Sequence, residues 1–168
     1  YTFSSTESGS IAFEGSCSSS TTSADSGDNT ITLSSLSDGT YSDCAITVTD
    51  KAANESNLLT LTSFLVDSTA STLVETTAIT SSANDSTPDY TFVSSEAGTI
   101  TYSGSCSSST TTVIAGTNTI TFSSLSDGTY IDCKITITDT LGNSVTMSIG
   151  SFTISTTPSN LTATGTAG

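Results

Sequence analysis

The sequence contains no histidine and no tryptophan, and only two of its residues, Lys51 and Lys134, are basic. Without histidine, no serine or cysteine has its usual general base, which argues against a hydrolase of the common triad types. So few cations cannot neutralise phosphates, so nucleic acid is excluded as a partner and anionic membranes are repelled. The missing tryptophan removes the aromatic platform expected of a sugar-binding face. No apolar run approaches the roughly 18–20 residues that a membrane-spanning helix requires. No signal-peptide pattern is legible, so an exported protein would be seen here in mature form or as a fragment. The two lysines do not occupy equivalent places in the repeat described below, which argues against a repeated lysine–asparagine staple.

What the chain does have is hydroxyl groups. Serine and threonine make up 73 of its 168 residues, and only 33% of the residues are hydrophobic. Threonine suits a pleated strand and serine fills turns and solvated faces. Regular alternation of Ile, Val, Leu, Phe and Tyr separates this composition from disorder and predicts an ordered all-β protein. A core built from so few apolar residues must be thin, which fits small two-sheet domains better than one large globule. Sixteen acidic residues give a net charge of −14. Such a surface favours loosely held cations, calcium above all.

The sequence repeats itself. YTFSSTESGSIAFEGSCSSSTT from Tyr1 lies over YTFVSSEAGTITYSGSCSSSTT from Tyr90, an offset of 89 residues that holds without a gap to Asn54 and Asn143. Phe64 then matches Phe152 at an offset of 88. A period near 90 with many short strands suits a chain of sandwich domains and not a solenoid. Within the first repeat, alternation predicts strands over 1–5, around Ile11 and Phe13, over 30–36, over 41–49, and through Leu59, Leu61 and Phe64. That is a meander of about five strands. The second repeat gains a further strand over 72–80.

Each repeat holds one cysteine pair, Cys17 with Cys44 and Cys106 with Cys133, at the same separation. Four cysteines allow three pairings, and the repeat favours pairing within each copy. Zinc is disfavoured because no histidine and no closely spaced cysteine pair completes a tetrahedral site. Disulfides would place the protein outside the reducing cytosol.

The block from DYTFVSSEAGTITYSGSC through LSDGTYIDCKITITDTLGN resembles the bacterial immunoglobulin-like (Ig-like) repeats of large cell-surface proteins and adhesins, and FLVDSTAS resembles their inter-repeat linker, with Ser71 where proline is usual. The resemblance covers nearly the whole chain. It implies two tandem Ig-like β-sandwich domains at the cell surface with stalk, adhesion or matrix roles, and it implies no particular ligand. Tyr41 and Tyr130, three residues before a cysteine, resemble the tyrosine corner of such domains and are expected to lock a strand crossing.

The expected divisions are 1–67 for a first Ig-like domain lacking its own first strand, 68–155 for a second, and 156–168 for a C-terminal strand. The last segment, FTISTTPSNLTATGTAG, aligns with FLVDSTASTLVETTAIT at an offset of 88. Leu161, Ala163, Gly165 and Ala167 alternate with threonine, a pattern that could slide into an open sheet edge. Two readings compete. In the favoured one, that strand completes domain 1 of the next copy, so the partners are copies of the chain in a head-to-tail extracellular filament. In the other, the chain is a window of a longer repeat adhesin whose modules act as spacers or bind a surface or glycan.

No catalytic or cofactor-binding residue stands out, and no cofactor is required. Glu7 and Glu96 recur at one repeat position, but one carboxylate per domain does not make the facing pair of a glycosidase; a turn role beside Gly9 and Gly98 is preferred. Calcium is the one candidate ligand. TDKAAN and TDTLGN bring Asp50 together with Asn54 and Asp139 together with Asn143, and Asp67 in the linker adds another oxygen donor. The same pattern is what an Asx turn uses, and that reading is preferred. Sequons at Asn54, Asn84 and Asn160 arise readily in so Ser/Thr-rich a chain.

Overall fold

The computed structural model describes residues 1–158. Among them it is all-β, without a helix, and the chain divides into two compact units, Tyr1–Ser68 and Thr69–Gly168.

In unit 1, β1 (Thr2–Ser5) pairs antiparallel with β4 (Gly27–Thr30). A second sheet has β2 (Gly9–Glu14) between β3 (Ser23–Ala24) and β6 (Ala45–Asp50), with β7 (Leu59–Thr60) on the far side of β6. A third pairs β5 (Gly39–Tyr41) with β8 (Phe64–Val66). Inward-facing residues from these elements meet in one core that includes Phe3, Ile11, Ile31, Ile46 and Leu61. Sheets enclosing a shared core in this way are consistent with a β-sandwich.

In unit 2, β11 (Asp89–Ser94) lies between β14 (Gly116–Thr121) and β9 (Leu73–Thr77). β12 (Gly98–Ser103) lies between β13 (Thr112–Val113) and β16 (Lys134–Thr138), and β17 (Ser144–Ser148) follows β16. β18 (Phe152–Ile154) runs between β15 (Gly128–Tyr130) and β10 (Ser82–Ala83), antiparallel to the first and parallel to the second. The central registers of the two units correspond: Ser10 opposes Thr49 in unit 1, and Thr99 opposes Thr138 in unit 2.

Four strand expectations are corrected. The connectivity is not a meander, because β1 and β2 belong to different sheets and β2 pairs with the distant β6. The expected strand over 41–49 breaks at Ser42–Cys44, where the chain crosses from the β5 sheet to the β6 sheet; for the same reason Leu59 and Phe64 fall on strands of different sheets. The strand expected over 30–36 ends at Thr30 and begins earlier, at Gly27. The Asn29 side chain closes the turn before it, donating to the carbonyls of Asp25 and Gly27 at 2.9 Å.

The crossing is pinned twice. Disulfides join Cys17 to Cys44 and Cys106 to Cys133, each with Cα atoms 5.3 Å apart. The Tyr41 hydroxyl donates to the Ser37 carbonyl at 2.8 Å and its ring stacks on Phe64, while Tyr130 does the same with Ser126 and Phe152. The hydroxyls of these two tyrosines therefore hold the turn that precedes the crossing. The disulfides mark an oxidising environment, extracellular or periplasmic. No helix among the described residues is long and apolar enough to cross a membrane.

Candidate functional site: an open strand edge in unit 1

The two units differ at their edges. In unit 2 the outer edge of β11 is covered by β9, with Leu73 opposite Ser94, Val74 opposite Val93 and Glu75 opposite Phe92. Leu73, Ile79 and Ala83 are partly buried against the core of unit 2. The Tyr90 hydroxyl, itself fully buried, donates to the Glu75 carboxylate at 2.9 Å. In unit 1, β1 pairs only with β4 and β8 only with β5 among the described residues. The counterparts of buried unit 2 residues are correspondingly open: Tyr1 is 44% exposed where Tyr90 is 0%. Phe64 and Val66 are half-buried where Phe152 and Ile154 are fully covered.

Beside the uncovered edge of β1 lies a hollow of about 200 Å³, lined by Phe3, Ser4, Ser5, Ile46, Val48 and Leu59 among others. The first three correspond to Phe92, Val93 and Ser94, the residues along which β9 lies in unit 2. Leu59, opposite Ile46, corresponds to Met147, opposite Ile135. The hollow thus marks in unit 1 the place that the start of β9 occupies in unit 2. Its wall mixes aliphatic side chains with strand backbone, which can receive both an apolar side chain and ladder hydrogen bonds. The segment containing Leu161, Ala163, Gly165 and Ala167, like Asn160, lies outside the described residues.

The calcium candidates are brought together pairwise. The Asp50 carboxylate accepts the backbone N–H of Ala52 at 2.7 Å, and both the backbone and side-chain N–H groups of Asn54 at 2.9 Å. Asp139 accepts the corresponding N–H groups of Leu141 and Asn143 at 2.8–2.9 Å. This is Asx-turn chemistry, with the amide nitrogens and not the amide oxygens directed at the carboxylates. The Asn54 side chain holds the Asp50 carboxyl below its ordinary value. At Asp139, burial pushes the pKa up, and the bonds from Asn143, Leu141 and Gly142 outweigh it. Asp67 follows β8 at the end of unit 1. Glu96 accepts a bond from the Ser71 hydroxyl at 2.9 Å, and its own backbone carbonyl accepts the Ser94 hydroxyl, consistent with a turn role.

Two functional residues escape a reading of the sequence. The Asp38 carboxylate accepts the backbone N–H and the hydroxyl of Ser68 at 2.9 and 2.8 Å. Asp127, its counterpart in the second SDGT motif, accepts the same two groups of Thr156 at 2.9 and 2.7 Å, and also the N–H and hydroxyl of Thr157. The Thr157 hydroxyl first, then the bonds from Thr156, hold the Asp127 carboxyl far below its ordinary range. Each aspartate therefore clasps the chain just after it leaves the last described strand of its unit, β8 or β18. The repeated SDGT was the available signal, but it reads as a turn, and nothing local reveals partners some 30 residues downstream.

The chain matches no protein-family model and shows no significant similarity to curated proteins.

Covering by β9 has a measurable electrostatic consequence. Burial pushes the Tyr90 hydroxyl well above its ordinary pKa, and the acceptor bond and negative charge of Glu75 push it the same way. A raised folded value leaves stability intact below the unfolded tyrosine pKa of about 10. Stability is then lost as pH rises from there toward the folded value. The melting midpoint of unit 2 should therefore fall above pH of about 10, and Tyr90→Phe should flatten that fall. An identical alkaline slope in wild type and variant would contradict the assignment.

Proposed function

We propose that the chain is a non-enzymatic structural subunit of a bacterial extracellular filament or surface stalk. Its two units are Ig-like sandwiches, and copies join head to tail when the C-terminal segment 156–168 of one copy completes unit 1 of the next. The observation that supports this reading is the hollow beside β1, which among the described residues pairs with β4 alone, set against β11, which pairs with both β14 and β9. An uncovered strand edge beside exposed core is a template for strand addition. A donor and an acceptor on different parts of one surface form a heterologous contact, which extends without closing. Disulfides and an acidic, hydroxyl-rich exterior suit a load-bearing element outside the cell.

The test compares the full chain with one ended after Pro158, by sedimentation velocity over a concentration series and by negative-stain microscopy. The full chain is expected to form concentration-dependent linear assemblies and the shortened chain to remain monomeric. A full chain that stays monomeric at high concentration, with unit 1 melting at the same temperature in both forms, would refute the proposal.

A further inference from the structure

We infer that β17 is a docking edge for a second copy of the chain: the β17 strands of two copies pair antiparallel about a two-fold axis at Thr146 and join their β13–β12–β16–β17 sheets into one. This inference concerns unit 2 and does not rest on the head-to-tail assembly proposed above.

Three observations support it. First, the edge offers backbone groups at known positions. The Ile149 N–H donates to the Cys133 carbonyl, and the Asp139 N–H donates to the Asn143 carbonyl. Antiparallel bonding alternates between opposed pairs, so the ladder from β17 to β16 uses Val145 and Met147, which oppose Ile137 and Ile135. The N–H and C=O groups of Ser144, Thr146 and Ser148 therefore point away from β16, and among the described residues β16 is the only strand that β17 pairs with. The side chains of those three residues are exposed, while Val145 and Met147 are half-buried.

Second, this edge is regular where its counterpart in unit 1 is not. β17 keeps one register against β16 from Thr138 opposite Ser144 to Lys134 opposite Ser148. In unit 1, Ile46 opposes Leu59 but Thr49 opposes Glu55, where an unshifted register would bring Ser56. The extra residue there is the one that changes the repeat offset from 89 to 88 between Asn54 and Phe64. A slipped register and an edge charge are devices that block pairing of exposed edges. Unit 1 has both, in the slip and Glu55, and β17 has neither.

Third, β17 is complementary to itself. Pairing about Thr146 sets Ser144 opposite Ser148 and Val145 opposite Met147, so that hydroxyls meet on the outer face and apolar side chains on the core face. The outward groups of Ser144, Thr146 and Ser148 then form about six ladder bonds between the copies. The strand SVTMS carries no charge, so two molecules of net charge −14 meet along a neutral strip. A contact that uses the same patch on both partners closes at two copies. One short strand pair buries less than a standard interface, so the pairing depends on concentration.

Single cysteines in the full chain test the axis. Thr146→Cys places two thiols opposite each other, with Cα atoms about 5.5 Å apart, within the reach of a disulfide. Mild oxidation at high protein concentration is expected to give a covalent dimer on a denaturing gel. Ser148→Cys lies equally exposed on the same edge, but its copies stand about 14 Å apart along the strands and should crosslink at least ten-fold less. The double variant Ser144→Cys with Ser148→Cys restores opposed thiols and should crosslink as well as Thr146→Cys. Adding Thr146→Pro to that double variant removes an outward N–H that the β16 ladder does not use, and should cut crosslinking at least ten-fold while unit 2 stays folded. No dimer from Thr146→Cys, or equal crosslinking by Thr146→Cys and Ser148→Cys, overturns the inference. If the proline variant proves unfolded, the comparison of the two single cysteines decides by itself. Head-to-tail assembly gives no covalent bond at these positions, so its presence or absence leaves the readout unchanged.

Discussion

Replacing Cys17 and Cys44 by alanine should unfold unit 1 selectively, lowering its melting transition by roughly 15–25 °C while the transition of unit 2 stays in place. Closing a loop of 27 residues removes denatured-state entropy, a stabilisation of about 3–4 kcal/mol in the chain-entropy model. Small domains have a total stability of only about 5–15 kcal/mol, and unit 1 belongs at the low end of that range. Among the described residues its buried cluster has eight members, two of them the bonded cysteines, against fourteen in unit 2. Its aromatic contribution is also weaker: Phe3 is buried alone, whereas Tyr90, Phe92, Phe122 and Phe152 are all buried together in unit 2. The same double replacement at Cys106 and Cys133 opens a loop of equal length, so a similar loss should leave unit 2 folded at room temperature. Calorimetry resolves the two transitions. Unfolding of unit 2 at room temperature on loss of its disulfide, as in unit 1, would contradict the argument that the smaller core of unit 1 makes its crosslink the more important one.

The contrast between units also shows what could be read without coordinates. Alternation put Cys44, Ile46 and Val48 on one face, of which the first two are buried and Val48 half-buried, and it placed a strand ahead of β11 over 72–80, where β9 lies. It failed at Ser42–Cys44 because a single strand over 41–49 ignores the three-residue step from Tyr41 to Cys44, a break in the alternation, and the sheet change is dictated by partners far away: β8 for Tyr41 and β2 for Ile46. The meander expectation failed for a related reason. Sequence neighbours β1 and β2 are each satisfied by distant strands, and non-local pairing leaves no local signature. The candidate site was half legible. The repeat offset pointed to residues 161–167 as the likeness of β9 and to a first domain short of that strand, but that β1 is the strand beside the hollow is visible only once the other described strands have been paired. The Asp38 and Asp127 clasps were hidden behind a motif that is a sufficient turn signal by itself.

Gly104→Ala should destabilise unit 2 by about 2–5 kcal/mol, combining left-handed backbone strain with a steric clash. Gly116→Ala should cause a loss of only about 1–2 kcal/mol, from strain alone. Both glycines have positive φ, +78° and +109°. They differ in what a methyl group would meet. At Gly104 it would run into the Asp132 backbone carbonyl, while at Gly116 it would enter open space. The consequences at Gly104 extend to the crosslink. The turn there lets the Ser105 backbone N–H and hydroxyl reach the Asp132 carboxylate at 3.2 and 3.0 Å. That contact sets Cys106 and Cys133, the next residue on each side, against one another. A displaced turn should therefore also slow disulfide formation during refolding, measurable as free thiols that persist longer than in Gly116→Ala. Equal melting losses and equal thiol kinetics in the two variants would show that the close approach of Gly104 to Asp132 does not govern this crossing. The equivalent approach of Gly15 to Asp43 in unit 1 should make Gly15→Ala the more damaging change overall, since the crosslink it displaces is the one that unit 1 can least spare.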